Sequence, residues 1–262
     1  MPVNLLSVTL IAYLFAVLFF FIGPSRNKFP IWFANALLKV GFILHTLVVL
    51  LRWYAAKRPP FANMYEALIL LAWSIILIYI IYDIIYGIRF LGKAVSVLAL
   101  VILNIAALLD STIGPLVPAL QSKWITIHVV SYFIGYGAMS LSFICGIYYL
   151  SVSRKKGRGV ELALSLDNLG YYFIYFAFPF LTLGMTTGSI WANVAWGTYW
   201  NWDPKETCSL ITWLVYGLYL HLRIFKGWKE ERAAWLSIIG YLAVLFTFVG
   251  VNFILPGLHS YS

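Results

Sequence analysis

The sequence predicts an all-α integral membrane protein, a polytopic bundle of about eight transmembrane helices. Two observations carry that prediction. Of 262 residues, 63% are hydrophobic, 18% aromatic and only 10% charged, with a mean hydropathy of +0.90. A soluble domain carries about 25% charged residues, so this chain has too few charges to clothe a water-facing surface. The same figures exclude disorder, collagen and coiled coil. The second observation is that apolar runs long enough to span a bilayer, roughly 20 residues each, recur along the whole length. They read as helices because strict apolar–polar alternation, the mark of a β-barrel, is absent.

The runs lie near 4–23, 31–54, 65–87, 94–110, 124–152, 169–187, 206–225 and 233–255. Neither an internal repeat nor a low-complexity linker interrupts them, so residues 1–262 read as a single transmembrane helical domain. The first run has no Lys or Arg before it and Arg26 and Lys28 after it, the reverse of a secretory signal peptide. It is expected to be a helix that enters with its N-terminus outside. The fourth run is short. The fifth is long enough to tilt or to extend beyond the bilayer.

Basic residues collect on the inner side of membranes. With the N-terminus outside, the inner connections hold twelve: Arg26, Lys28, Arg89, Lys93, Arg154, Lys155, Lys156, Arg158, Arg223, Lys226, Lys229 and Arg232. The outer connections hold five: Arg52, Lys57, Arg58, Lys123 and Lys205. The bias places both termini on the outer, periplasmic side. It also accounts for most of the net charge of +9, with some attraction to anionic membrane lipid; no nucleic-acid partner is expected. Arg52, Lys57 and Arg58 run against the bias, which suits contact with lipid head groups or with the carboxylate of a ligand.

The two cysteines, Cys145 and Cys208, form no CxxC or CxxCH. A thioredoxin-like redox site and a c-type haem attachment site are therefore not indicated. They read as small buried thiols, with a disulfide between them left open.

The most unusual stretch is the expected outer segment 188–207, GSIWANVAWGTYWNWDPKET, between helices six and seven. It holds Trp191, Trp196, Tyr199, Trp200 and Trp202. An interfacial aromatic belt explains one or two Trp, but not four within so short a span. Trp196 and Trp200 share a face if the chain is helical there, and Trp200 and Trp202 if it is extended. A short helix opening into an extended stretch makes an aromatic floor suited to a flat, polarisable ligand. Asp203-Pro204-Lys205-Glu206 reads as the start of helix seven: Asp203 as N-cap, Pro204 at the first position, Glu206 closing a capping box. Asn63-Met64-Tyr65-Glu66 opens helix three in a similar way.

An ionisable side chain inside a membrane protein is costly and usually functional. His128, near the outer end of helix five, and His259, in the outer tail GLHSY, fall on the side of the Trp-rich segment. Two neutral imidazoles across an aromatic floor would supply both axial ligands of a haem iron. Zinc is the other metal that His binds, but its structural sites use four N or S ligands. His45, within helix two, and His221, near the inner end of helix seven, lie outside that layer. Each is either a packing residue or part of a second site where a ligand arrives from inside.

Trp196-Gly197-Thr198-Tyr199-Trp200-Asn201-Trp202-Asp203 resembles the WGxxWxWD signature of the haem-handling WWD proteins. The wider match resembles one branch, CcsA or ResC, the membrane subunit of System II cytochrome c synthetase. It rests on Trp191-Ala192-Asn193, Asp203-Pro204-Lys205-Glu206-Thr207, Ile211-Thr212-Trp213, Gly257-Leu258-His259-Ser260-Tyr261 and Asn63-Met64-Tyr65-Glu66-Ala67-Leu68. It covers most of the chain from about residue 50. CcmC and CcmF of System I share the WWD core and match the flanks less well.

The resemblance implies cytochrome c biogenesis in a bacterial cytoplasmic or thylakoid membrane. Haem b passes through the bundle and is held at the outer WWD segment, with Trp191, Trp196, Trp200, Trp202 and Asp203 around it. By the same resemblance His128 and His259 are the outer iron ligands and His221 the transmembrane one. His45 is an accessory, because the family's second transmembrane ligand is thought to come from the partner. The partners implied are a CcsB or ResB membrane protein and an apocytochrome c presenting CxxCH. The rivals are a haem transporter or chaperone of the CcmC type, without attachment activity, and a di-haem electron-transfer anchor. The anchor class places paired His on helices facing each other across the membrane, unlike His128 and His259. No nucleophile–base pair suggests hydrolysis or acyl transfer.

Overall fold

The computed structural model describes residues 3–22, 29–153 and 158–254. Among these every regular element is helical. The order is α1 (Val3–Ile22), α2 (Phe29–Ala56), α3 (Met64–Tyr86), α4 (Gly92–Ala107), α5 (Lys123–Val152), α6 (Arg158–Trp196), α7 (Pro204–Phe225) and α8 (Glu230–Leu245). A π-helical segment, Phe246–Gly250, and a short α9, Val251–Ile254, follow. Among the described residues eight spans are long and apolar enough to cross a membrane, one for each expected run, the last taking in α8 and the π segment. The fourth gains its length from a 3₁₀ turn, Arg89–Leu91, ahead of α4.

The sixth differs most from its expected bounds. It was expected over 169–187 and runs over Arg158–Trp196, through Pro179. Charged and polar residues at both ends suggested loops. Asp167 instead finds a buried partner, and the Trp-rich residues up to Trp196 continue the helix.

The chain divides into two compact units, Met1–Pro115 and Leu116–Ser262. In the first, α1 packs on α2 and α4, and α3 on α2 and α4. Polar side chains in its interior find partners there: Tyr79 donates to Asn35 Oδ1 at 2.5 Å, and Trp73 Nε1 to Thr46 Oγ1 at 2.9 Å. In the second, α5 and α8 are joined by Ser140 to Tyr241 and by Ser142 to Ser237, each at 2.8 Å. Both α5 and α8 also pack on α6, and α7 closes against α6 and α8. Cys145 is buried and Cys208 half-buried, and both are free thiols.

Charged knots tie the helix ends. In the first unit Glu66, on the first turn of α3, is wholly buried and carries two guanidinium groups. Arg52 Nε meets Oε1 and Arg58 meets Oε2, both at 2.9 Å. Arg52 also donates to the carbonyls of Ser111 (2.6 Å) and Thr112 (3.3 Å), gathering the connection after α4. Glu66 further accepts from the Ala62 amide at 2.7 Å, while Asn63 caps α3 by accepting from the Glu66 amide at 2.9 Å. The basic residues expected to face lipid or a ligand carboxylate thus include two that neutralise a carboxylate of the chain itself. A buried charge is stable only when paired and hydrogen-bonded, and that requirement outweighs the pull of the surface. In the second unit Arg223 of α7 grips Asp167 of α6 at 2.8 Å, and Asp167 also accepts the Glu230 amide at 2.9 Å, capping α8.

Removing one member of a buried pair strands the other and costs about 3–5 kcal/mol. Glu66→Gln is therefore expected to lower the thermal midpoint in detergent by many degrees. A loss below about 1 kcal/mol, typical of an exposed pair, would show the knot to be dispensable.

Candidate functional site

The expected Trp-rich segment divides in two. Its first half, through Trp196, is the last two turns of α6. Gly197, at φ 81°, turns the chain out of the helix. Residues Thr198 to Asp203 then run without helix to α7. A helix opening into an extended stretch was expected, but Trp196 and Trp200 share no helix face, because the helix stops between them.

The far end of the stretch is fixed as the sequence predicts. Asp203 accepts from the Lys205 amide at 2.9 Å, Pro204 opens α7, and Glu206 closes the capping box. One Glu206 oxygen accepts from the amides of Asn201 (2.8 Å) and Asp203 (3.2 Å). These bonds anchor the backbone beneath Trp200 and Trp202. The two indoles meet edge to face, centroids 5.8 Å apart and planes at 87°. Trp202 is 68% exposed and has a left-handed backbone, φ 56°. For a bulky residue that conformation costs about 1–2 kcal/mol, and such strain collects at functional sites.

The near end is rigid. Trp191 is 3% exposed and its Nε1 donates to the Ala119 carbonyl at 2.7 Å. Its ring lies edge-on to Trp196 at 4.7 Å and nearly parallel to the His128 ring, 27° between planes and 6.2 Å between centroids. His128, on α5, contacts Tyr132 at 4.8 Å; Tyr132 leads to Tyr136 (5.2 Å) and on to Phe248 of the π segment (6.1 Å). One aromatic ladder thus joins the end of α6 to the last span through His128.

The His128 ring is oriented by the main chain of α6. Its Nδ1 lies 2.8 Å from the Gly184 carbonyl. A carbonyl only accepts, so Nδ1 carries the proton, and the neutral ring then has its lone pair on Nε2. The approach needs bare backbone. A Cβ at Gly188 would stand 2.4 Å from His128 Nδ1, and one at Gly184 2.7 Å from the Tyr132 ring. The sequence reading missed both glycines. Their four-residue spacing on one helix is the signal, since small residues at that interval let helices approach closely.

The structure therefore gathers His128, Trp191 and Trp196 into one wall, with Trp200, Trp202 and Asp203 in the stretch that follows. Of the other histidines, only His221 is described within the same unit, and it lies away from that wall. His45 belongs to the first unit, fully buried, its Nδ1 hydrogen-bonded to the Tyr13 hydroxyl at 3.2 Å. Its Nε2 is buried with no hydrogen-bond partner among the described residues. His221 lies on α7, roughly 25 Å along the helix from Pro204 at 1.5 Å per residue. It is exposed on a face with Ile211, Leu214 and Leu218, its ring 5.1 Å from that of Phe225. His259 lies outside the described residues. Among the described residues no three His, Cys, Asp or Glu side chains converge as a metal cage.

Residues 61–259 match the family model described as cytochrome C assembly protein. The chain belongs to the cytochrome c assembly family. Its relatives place it with the CcsA proteins. It is 39% identical over 235 residues to the cytochrome c biogenesis protein CcsA of Chlamydomonas reinhardtii, covering 85% of this chain and 66% of that protein. It is 35% identical over 284 residues to CcsA of Guillardia theta, covering 98% of this chain and 93% of that protein. A solved structure of the cytochrome c heme lyase CcmF shares the fold, with a TM-score of 0.63 and 19% identity. The shared part is 93% of this chain and 45% of that one. The family and the eight apolar spans make the chain an integral membrane protein.

The two ends of the segment should respond differently to truncation. Trp191→Ala empties a buried site and is expected to cost about 3–5 kcal/mol. Trp202→Gly removes an exposed ring and relieves a left-handed backbone, so the melting temperature should hold or rise. Equal destabilisation by both would refute the division into a rigid and a strained half.

Proposed function

We propose that this chain is the haem-holding membrane subunit of a System II cytochrome c synthetase. It takes haem b as substrate on the outer, periplasmic or luminal side of a bacterial cytoplasmic or thylakoid membrane. His128 and His259 ligate the iron, and Trp191, Trp196, Trp200 and Trp202 flank the macrocycle above the Asp203 cap. His221 provides a transmembrane ligand on the way in, and His45 packs the first unit. Both termini face outward. The observation that carries the reading is the His128 wall. An imidazole held in one tautomer stands stacked beside the Trp191 indole in a chain of the cytochrome c assembly family.

The chemistry asks for placement more than for acid–base groups. Each thioether forms by adding a cysteine S–H across a haem vinyl group. The S–H bond breaks, sulfur bonds to the vinyl carbon next to the ring, and the hydrogen ends on the terminal carbon. The addition is redox-neutral. What the protein must do is hold the haem with a vinyl edge open and let the apocytochrome's own His replace one iron ligand. A CcsB or ResB partner and an apocytochrome c with CxxCH complete the assembly.

Co-expression with that partner and a CxxCH apocytochrome, scored as covalently attached haem, tests the reading. Attachment is expected with the wild-type chain. It should be lost in His128→Ala and partly restored by added imidazole. Trp202→Gly should lower haem content in the purified chain without lowering its melting temperature. Haem that co-purifies but is never attached would favour a CcmC-type chaperone. An unchanged haem spectrum in His128→Ala would remove the ligand assignment.

A further inference from the structure

We propose that Gly184 and Gly188 are positioning residues of the haem site. The Gly184 carbonyl fixes the tautomer, ring plane and donor strength of His128, and the missing side chain at Gly188 gives the ring its place. The proposal rests on His128 being an iron ligand. It adds the groups that make it an effective one.

Three observations converge on the same few atoms. The His128 Nδ1 to Gly184 O distance of 2.8 Å is that of a good hydrogen bond. A Cβ on Gly188 would come within 2.4 Å of Nδ1 and 2.7 Å of Cε1, far inside contact distance. The clash would fall on the ring itself, which is held between Tyr132 and Trp191. The Gly184 carbonyl is also shared: Thr187 Oγ1 approaches it at 3.3 Å while donating to Leu183 O at 2.7 Å. The histidine therefore bonds to a carbonyl in the interior of α6. It reaches that carbonyl only because α6 presents no side chain at two positions one turn apart.

A metal-ligating imidazole that donates its other N–H to an acceptor is held in one orientation and becomes a stronger base. Losing the acceptor typically costs about 10–100-fold in affinity. Backbone makes the acceptor permanent, because no rotamer change withdraws it. Here it also belongs to the helix that carries Trp191 and Trp196, so ligand and aromatic wall are set by one rigid element.

The test uses the full chain with its partner, loaded with haem. Gly188→Ala is compared with Gly135→Ala, whose added methyl meets nothing closer than 3.5 Å. Gly188→Ala should lose about 10–100-fold in haem affinity. Its low-spin spectrum should weaken and return with added imidazole, while Gly135→Ala keeps the wild-type spectrum and reduction potential. A normal spectrum and potential in Gly188→Ala, with both lost in His128→Ala, would overturn the positioning role and leave the ligand in place. No effect of His128→Ala would instead overturn the ligand reading. Should Gly188→Ala not fold, nitrogen-15 NMR of histidine-labelled wild-type chain decides, with His128→Ala assigning the signal. A proton on Nδ1 that exchanges slowly with water is expected, and a proton on Nε2 would refute the proposal.

Discussion

The site depends on how closely α5 can approach the backbone of α6. Any side chain at Gly184 or Gly188 would stand where Tyr132 or His128 now lies. With the helices that close, the imidazole reaches a main-chain carbonyl, Trp191 stacks beside it and Trp196 follows at the helix end. Dense packing of this kind is bistable more than it is deformable, so the wall exists in one arrangement or is lost. The helix ends at Trp196, Gly197 turns the chain, and an irregular stretch runs until the Asp203 capping box restarts a helix.

Charge has a separate task in the fold. The knots at Glu66 and Asp167 each pair a buried carboxylate with arginine, and each also takes up main-chain groups. The arginine of one binds the carbonyls of Ser111 and Thr112, and the aspartate of the other caps the Glu230 amide. In a low-dielectric interior a half-satisfied cluster is worse than none, so each knot recruits whatever backbone lies nearby. Helix ends are where such backbone is available. This explains why so few charges suffice. Several of them fasten helix termini, and the wall around His128 is built from aromatic rings and backbone instead.

What the sequence made legible follows the strength of local signals. Apolar runs the thickness of a bilayer announce themselves, and so do caps such as Asn63 and Asp203, whose partners lie two or three residues away. The extent of α6 was hidden because Asp167 looks like a loop residue until Arg223, 56 positions on, is seen beside it. Arg52 and Arg58 looked available for lipid or ligand because Glu66 was read only as part of a helix start. The Trp-rich segment was conspicuous by composition. The division between its helical and irregular halves was not, since both halves are equally aromatic. Gly184 and Gly188 were silent because a glycine's role lies in the neighbour it admits.

The distribution of rigidity across residues 184–206 fits work done by placement. On one side the His128 ring and two indoles are fixed by a carbonyl, a hydrogen bond to Ala119 and ring packing. On the other an indole stands exposed on a strained backbone, held from beneath by Glu206 and Asp203. A macrocycle bound evenly on all sides could be gripped but not handed on, because its reacting edge would be covered. In the proposed function a macrocycle seated against the fixed wall, beside the exposed Trp202 ring, would keep its orientation while a peptide takes hold of it. Strain placed on the yielding side lowers the cost of moving that ring and leaves the wall undisturbed. Burial and strain are segregated along this segment, which is what the proposed hand-over calls for.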